Sequence, residues 1–249
     1  MTRRAFAARL ATALAACAIV AGCATPASQP DASLAAHYAQ VVADPVRSAP
    51  DRANDAERHP AQLLAFAGVA PGMRVLDVSA GAGYTSALLA LAVGPQGRVY
   101  AQAPHPGAAL QQRVADHPGT NIEVVARPFD DPVPPQVRDL DLVTLIQNYH
   151  DISYLPVDRG AMNAHLFAAL RHGGHYVVID HSARPGTGIA DGRTLHRIDE
   201  NVVLEEAKRA GFVLEAEGDF LRNPADTRDT PSTRATIPTD KFALRFVKP

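Results

Sequence analysis

From residue 60 to the end, the chain alternates between two hydrophobic periods. Stretches with apolar residues three or four apart predict helices, and short apolar runs between them predict strands. "PAQLLAFAGV" predicts a helix that starts at Pro60, and "MRVLDVS" a strand. "GYTSALLALAVG" is a helix stopped by Gly94, "GRVYAQA" a strand, "PGAALQQRVADH" a helix, and "NIEVVAR" and "LDLVTLIQN" strands. "VDRGAMNAHLFAALRHGG" predicts a helix with a glycine stop, "HYVVIDHS" a strand, and "ENVVLEEAKRAG" a helix. "FVLEAEGDF" and "FALRFVKP" are two final strands. Upstream, "SLAAHYAQVVA" (33–43) has helical spacing. "DPVRSAPDRANDAERHP" has no periodicity and is expected to be a long surface loop, either a lid or a plain connection.

Strands alternating with helices predict a parallel sheet covered on both faces. The last two strands are separated by a loop without a helix, so they most simply pair antiparallel. The expected fold is therefore α/β: a doubly wound, mostly parallel, seven-stranded sheet with one antiparallel strand near its edge. Ligands of such sheets bind outside the carboxyl ends of the strands.

Composition changes this picture mainly at the N-terminus. The 249 residues, 47% hydrophobic, suffice for one sizeable core. The first 22 read differently. Arg3, Arg4 and Arg9 precede an Ala-rich apolar run, and "VAGC" (20–23) resembles a lipoprotein signal whose cleavage leaves an acylated Cys23; an ordinary secretory signal cut nearby or a short membrane anchor fits the same residues. "TRRAF" also resembles part of a twin-arginine signal, though two arginines serve equally as a basic leader. The organisation expected is a signal over 1–22, a tether over 23–32, a helix and loop over 33–59, and the α/β domain over 60–249. Location would be outside the cytoplasm, with membrane contact only through the lipid on Cys23. Cys17 would leave with the signal, which excludes thiol chemistry and disulfides from the mature chain. Net charge is −2, and loss of the three leader arginines makes it −5, which argues against nucleic-acid binding.

The candidate chemistry begins at "DVSAGAGY" (77–84), a strand end, glycine turn and helix start. Gly81 and Gly83 permit a sharp turn and close approach of a ligand, and the helix start offers free N–H groups to an anion. The element order together with "VLDVSAGAGYTSALLA" resembles class I S-adenosylmethionine-dependent methyltransferases, whose first motif is acidic-x-Gly-x-Gly-x-Gly. "RPFDDP", "LDLVTLIQNYHD", "GGHYVVIDHSARPGTG" and "TLHRIDE" resemble a branch of exported predicted methyltransferases, and the resemblance spans roughly residues 55–249. It implies S-adenosylmethionine as cofactor and methyl transfer to a small molecule. It also implies cofactor contacts from Asp77, Ser79, Gly81, Gly83, Tyr84, Gln102, Phe129, Asp130 and Asn148. There are two departures. Ser79 stands in the first glycine place, tolerable if that position does not need positive φ. Gln102 stands where the family has an acid for the ribose hydroxyls.

A second group gathers at later strand ends: Asn148, Tyr149, His150 and Asp151, then Asp180 and His181, then His196, Asp199 and Glu200. One reading is catalytic, with neutral His150 or His181 as general base and Tyr149 beside them. Another places a divalent metal on His150, His181 and a carboxylate. A third is structural, with Asp199 and Glu200 capping a helix and Asp180 orienting a loop. The alternative to a methyltransferase is an exported lipoprotein that keeps this fold as a binding module or for other His/Asp chemistry.

Overall fold

The computed structural model describes Met1, residues 32–116, Gly119 and residues 121–249. The signal-like segment, Cys23 and nearly all of the tether lie outside the described residues. In order the elements are α1 (Ala32–Ala43), α2 (Ala49–Ala53), α3 (Asp55–Arg58), α4 (Pro60–Ala67), β1 (Arg74–Val78), α5 (Tyr84–Val93), β2 (Arg98–Ala103), α6 (Ala108–Asp116) and β3 (Ile122–Ala126). Then follow β4 (Leu140–Ile146), α7 (Tyr149–Ser153), α8 (Arg159–Ala169), β5 (Leu170–His181), α9 (Gly192–Leu195), α10 (Glu200–Arg209), β6 (Val213–Gly218) and β7 (Lys241–Val247). Among the described residues, no helix is long and apolar enough to cross a membrane.

The seven strands form one sheet in the order β3-β2-β1-β4-β5-β7-β6, with β7 antiparallel to both its neighbours. This is the expected architecture. Strand parity divides the core. Val75 packs on the face covered by α1, α4 and α5, with Tyr38, Leu64 and Leu88. Leu76 and Val78 pack on the other face with Met162, Leu166 and Val203 from α8 and α10. Side chains alternate along a strand, so Asp77 falls on the α5 face. Register aligns the strand ends: Val78 lies opposite Gln102 and Leu145, and Ile146 opposite Ile179. The glycine turn and the later strand ends therefore share one rim.

Two expectations fail locally. The segment 44–59 is not a plain loop but holds α2 and α3. Ser48 caps α2 by accepting the Asp51 N–H at 3.2 Å, and His59 takes a left-handed conformation (φ 46°) that stops α3 before Pro60. The helix expected to run through Gly174 ends at Ala169, and residues 170–174 open β5. There the chain is claimed by its neighbours: Leu170 pairs with Leu140, and Gly173 and Gly174 exchange backbone bonds with Lys248.

Candidate cofactor and active site

The turn after β1 is built on left-handed residues. Ser79 has φ 58°, Gly81 φ 56° and Gly83 φ 82°. The serine in the first glycine place thus does need positive φ, and it pays the steric cost a glycine would avoid. A Cβ on Gly83 would lie 2.8 Å from side-chain carbons of both Arg113 and Leu110, so α5 and α6 can close only over a glycine there.

Asp77 is 2% exposed. Its carboxylate accepts from Ser86 Oγ at 2.6 Å and from Thr144 Oγ1 at 2.8 Å. Burial pushes its carboxyl up to about 6, against the pull of those two hydroxyls. A carboxylate has about four acceptor sites, so two hydroxyls leave capacity for a ligand cation. Asp77 opens on a cavity of about 340 Å³, lined also by Ser79, Gly81, Tyr84 and Thr85 from the turn and by Ile146, Gln147 and Asn148 from the end of β4. Its roof is α2 and α3, through Pro50, Asp51, Asn54 and Arg58. Of the two readings of the charged segment, lid and plain connection, the geometry matches the lid.

The lid is held by charge-assisted bonds. Asp51 receives both Nη atoms of Arg113 (2.5 and 3.0 Å), and Asp55 receives both of Arg47 (2.7 and 2.6 Å). Tyr84 donates its hydroxyl to Asp55 at 2.8 Å, and the Arg58 guanidinium lies 4.7 Å from the Tyr84 ring centre. Arg58, Asp51 and Gln147 are cavity residues that sequence reasoning missed. The run of charge and proline in 44–60 is the only sequence signal for Asp51 and Arg58. A larger cavity of about 420 Å³ lies between the lid, α5 and α6, lined by Val46, Leu88, Leu91 and Gln112 among others. It includes none of Asp77, Ser79 or the strand-end residues.

Three residues expected at the cofactor do not line this cavity. Gln102 is fully buried, on the opposite face of the sheet from Asp77. Its Oε1 accepts the Ser79 N–H at 3.0 Å and its Nε2 donates to the Arg127 carbonyl at 2.7 Å, so both ends of the amide are engaged in bracing the turn. Phe129 packs against the core on the α8 and α10 face, and the Asp130 carbonyl accepts from His165 at 2.8 Å. Neither lines the cavity around Asp77.

Beside the cavity, the strand ends carry a histidine rim. Asp180 is buried and accepts from the backbone N–H of His150 (2.8 Å) and of His181 (2.7 Å), and its Oδ1 lies 2.6 Å from His150 Nδ1. Burial alone would lower the His150 ring, but the Asp180 and Asp151 carboxylates outweigh it and push it up to about 9. His150 therefore holds its proton at neutral pH, which corrects the expectation of a neutral base there. His181 is the reverse. Burial pushes it down to about 4, with Lys241, His150 and Arg197 adding to the effect against Asp180. It stays neutral, with Nδ1 2.8 Å from Thr239 Oγ1. By strand parity it shares the face of Val177 and Ile179, the same face as Asp77.

Tyr149 is not at the rim. It is fully buried, donates to Glu206 at 2.7 Å and accepts from Asn163 at 2.9 Å, locking α7 to α8 and α10. Asp199 caps α10 through the Asn201 N–H, as the structural reading expects. The metal-type grouping also differs from expectation: His150, Asp151 and His196 bring donor atoms within 4.8 Å of one another, and His181 is not in the set.

Residues 45–107, from the lid through β2, match the family model of protein-L-isoaspartate(D-aspartate) O-methyltransferase. No curated protein matches the sequence. Among solved structures, an S-adenosylmethionine-dependent methyltransferase from Aquifex aeolicus is similar over 85% of this chain and 98% of its own, with TM-score 0.60 and 17% identity. An S-adenosylmethionine-dependent O-methyltransferase from Thermotoga maritima is similar over 77% of this chain and 64% of its own (TM-score 0.52, 18% identity). A TehB-like methyltransferase from Corynebacterium glutamicum is similar over 79% and 97% (TM-score 0.51, 18% identity). With the strand order and the glycine turn, these similarities place the chain in the class I S-adenosylmethionine-dependent methyltransferase fold.

Proposed function

We propose that the chain binds S-adenosylmethionine in the cavity under the α2–α3 lid and transfers its methyl group to a small molecule at the carboxyl ends of β4 and β5. One observation carries this: a single cavity brings together a buried carboxylate with spare acceptor capacity, a glycine turn opening helix α5, and the cation of Arg58. That donor set fits the zwitterionic amino-acid end of the cofactor. Asp77 would hold its ammonium, while Arg58 and the first-turn N–H groups of α5 face its carboxylate. When bound, the cofactor supplies a methyl group on a positively charged sulfur.

The chain's own part is positioning and proton removal. Ser86 and Thr144 fix the Asp77 carboxylate. The lid excludes water and sets the approach of an acceptor, and such positioning contributes most of the rate in an in-line displacement. His181, neutral and on the Asp77 face, takes the acceptor's proton. A base this weak suffices for an oxygen acceptor, because an oxygen already bonding to the methyl group becomes strongly acidic.

Calorimetric titration of S-adenosylmethionine and S-adenosylhomocysteine into the purified protein tests this. The expected result is saturable one-to-one binding, weakened roughly 10- to 100-fold by Asp77→Ala, the worth of one charge-assisted bond. A folded sample that binds neither at millimolar concentration overturns the proposal.

A further inference from the structure

Helix α7 carries His150 and Asp151 side by side, and His196 closes α9 beside it. The His196 Nδ1 lies 3.1 Å from Asp151 Oδ1, and His150 Nε2 lies 3.3 Å from the same oxygen. We propose that these three side chains form a binding site for a divalent transition metal ion, held by His150 Nε2, the Asp151 carboxylate and His196 Nδ1.

Three features carry this beyond proximity. The first is the donor set. Two imidazoles and one carboxylate suit zinc, iron(II), cobalt(II) or nickel(II), whereas magnesium and calcium prefer all-oxygen sites. Three protein ligands also leave coordination positions for water or for a bound molecule.

The second is the partner of His150. Asp180 Oδ1 sits 2.6 Å from Nδ1 and keeps a proton on that nitrogen, so a metal ion would take the place of the proton on Nε2, the nitrogen that faces Asp151. A buried carboxylate behind a ligating imidazole is the arrangement that fixes tautomer and ring orientation in metal sites. The Tyr154 hydroxyl supports Asp151 in the same way, donating to Oδ1 at 3.1 Å.

The third is the way the two helices meet. A Cβ on Gly192, in the first turn of α9, would lie 2.8 Å from Ser153 Oγ and 2.9 Å from the His150 carbonyl. Only a glycine lets α9 come this near α7, and that approach is what brings His196 to the other two ligands. The site follows directly on Asn148, which lines the cavity, but metal binding does not depend on cofactor binding.

The test uses the full chain, stripped with a chelator and titrated with Co²⁺ by visible absorption and with Zn²⁺ by calorimetry, without cofactor. The expected result is one equivalent bound, with a cobalt spectrum showing nitrogen ligation. Affinity should fall about 100-fold or more in Asp151→Asn and in His196→Asn, since losing even a supporting partner costs 10- to 100-fold. Asparagine tolerates the left-handed backbone of residue 196 (φ 50°), so that variant keeps the fold. His172→Gln, at an exposed histidine, should bind as the parent does. Failure of the folded protein to bind either metal saturably at micromolar concentration overturns the proposal. So does binding that both ligand variants leave unchanged.

Discussion

The glycine turn and the histidine rim lie at the same end of the same sheet, yet they use buried charge in opposite ways. At the turn, Asp77 is buried with hydroxyls for company and no cation in contact, Arg58 acting on it only at a distance, and its carboxyl is pushed up to about 6. At the rim, Asp180 is fully buried but meets His150 and two backbone N–H groups, a closed set of partners. An unneutralised buried carboxylate is a standing cost that a ligand ammonium removes, whereas a neutralised one is part of the scaffold. The difference teaches that burial and acidity alone do not mark a binding group; the missing counter-charge does.

Asparagine at each position breaks this comparison in opposite directions. Asp180→Asn should give the largest effect. It strands the buried His150 cation and turns one acceptor into a donor facing an N–H group, a loss of about 3–5 kcal/mol. The His150 ring is raised from 6.5 to about 9 in the fold, so its pairing stabilises fully below about pH 6.5 and fades as pH rises through 9. Urea unfolding of chelator-treated protein at pH 7 and pH 10 should therefore show a penalty that shrinks at the higher pH. An equal penalty at both would mean that Asp180 acts only through its backbone bonds.

Asp77→Asn should do the reverse, and by somewhat less. Because the folded carboxyl titrates near 6 and the unfolded one near 3.8, the folded state binds more protons between those values, so stability falls as pH rises through that window and stays low above it. Asparagine removes the cost. The ligand-free variant should be more stable than the parent by about 2 kcal/mol at pH 7.5 and no more stable at pH 4, while cofactor binding weakens roughly 10- to 100-fold. A variant destabilised equally at both pH values would show that Asp77 is structural.

The parts legible in the sequence are those with enough repeats of a period. The seven strands and the helices of eight or more residues could be read because apolar spacing recurs within them. The lid could not, because helices of five and four residues complete too few turns to show a face. "LRHGG" read as a helix end because its glycines mimic a C-cap, and only its pairing with β4 and Lys248 reveals a strand. Site chemistry was legible where it is local, as in Asp77 and the glycines. It was hidden where it depends on parity or distant partners. Gln102 sits at the expected strand end but on the other face, and what sets His150 is Asp180, thirty residues on. Tyr149 shows the same limit: one position from His150, it turns into the core.

The smallest effect tests the turn itself. Ser79 holds φ 58° while its N–H is fixed by Gln102, so the strain is imposed by the brace from β2 rather than chosen by the residue. Ser79→Gly relieves about 1 kcal/mol of left-handed strain but adds backbone entropy to the unfolded chain, which returns part of that gain. The net expectation is a gain of roughly 0.5 kcal/mol in thermal or urea unfolding, with cofactor affinity unchanged within about twofold. If Gln102→Ala is made first, the side-chain brace on the Ser79 N–H is gone, leaving only the Ala80 N–H bond to the residue-102 carbonyl, and the turn can relax. The stabilisation from Ser79→Gly should then shrink toward zero, and a double-mutant cycle reads that coupling directly. A full, undiminished gain in the Gln102→Ala background would place the strain in the turn's own sequence, and would separate the geometry of the cofactor turn from the glutamine that stands in place of the ribose-binding acid.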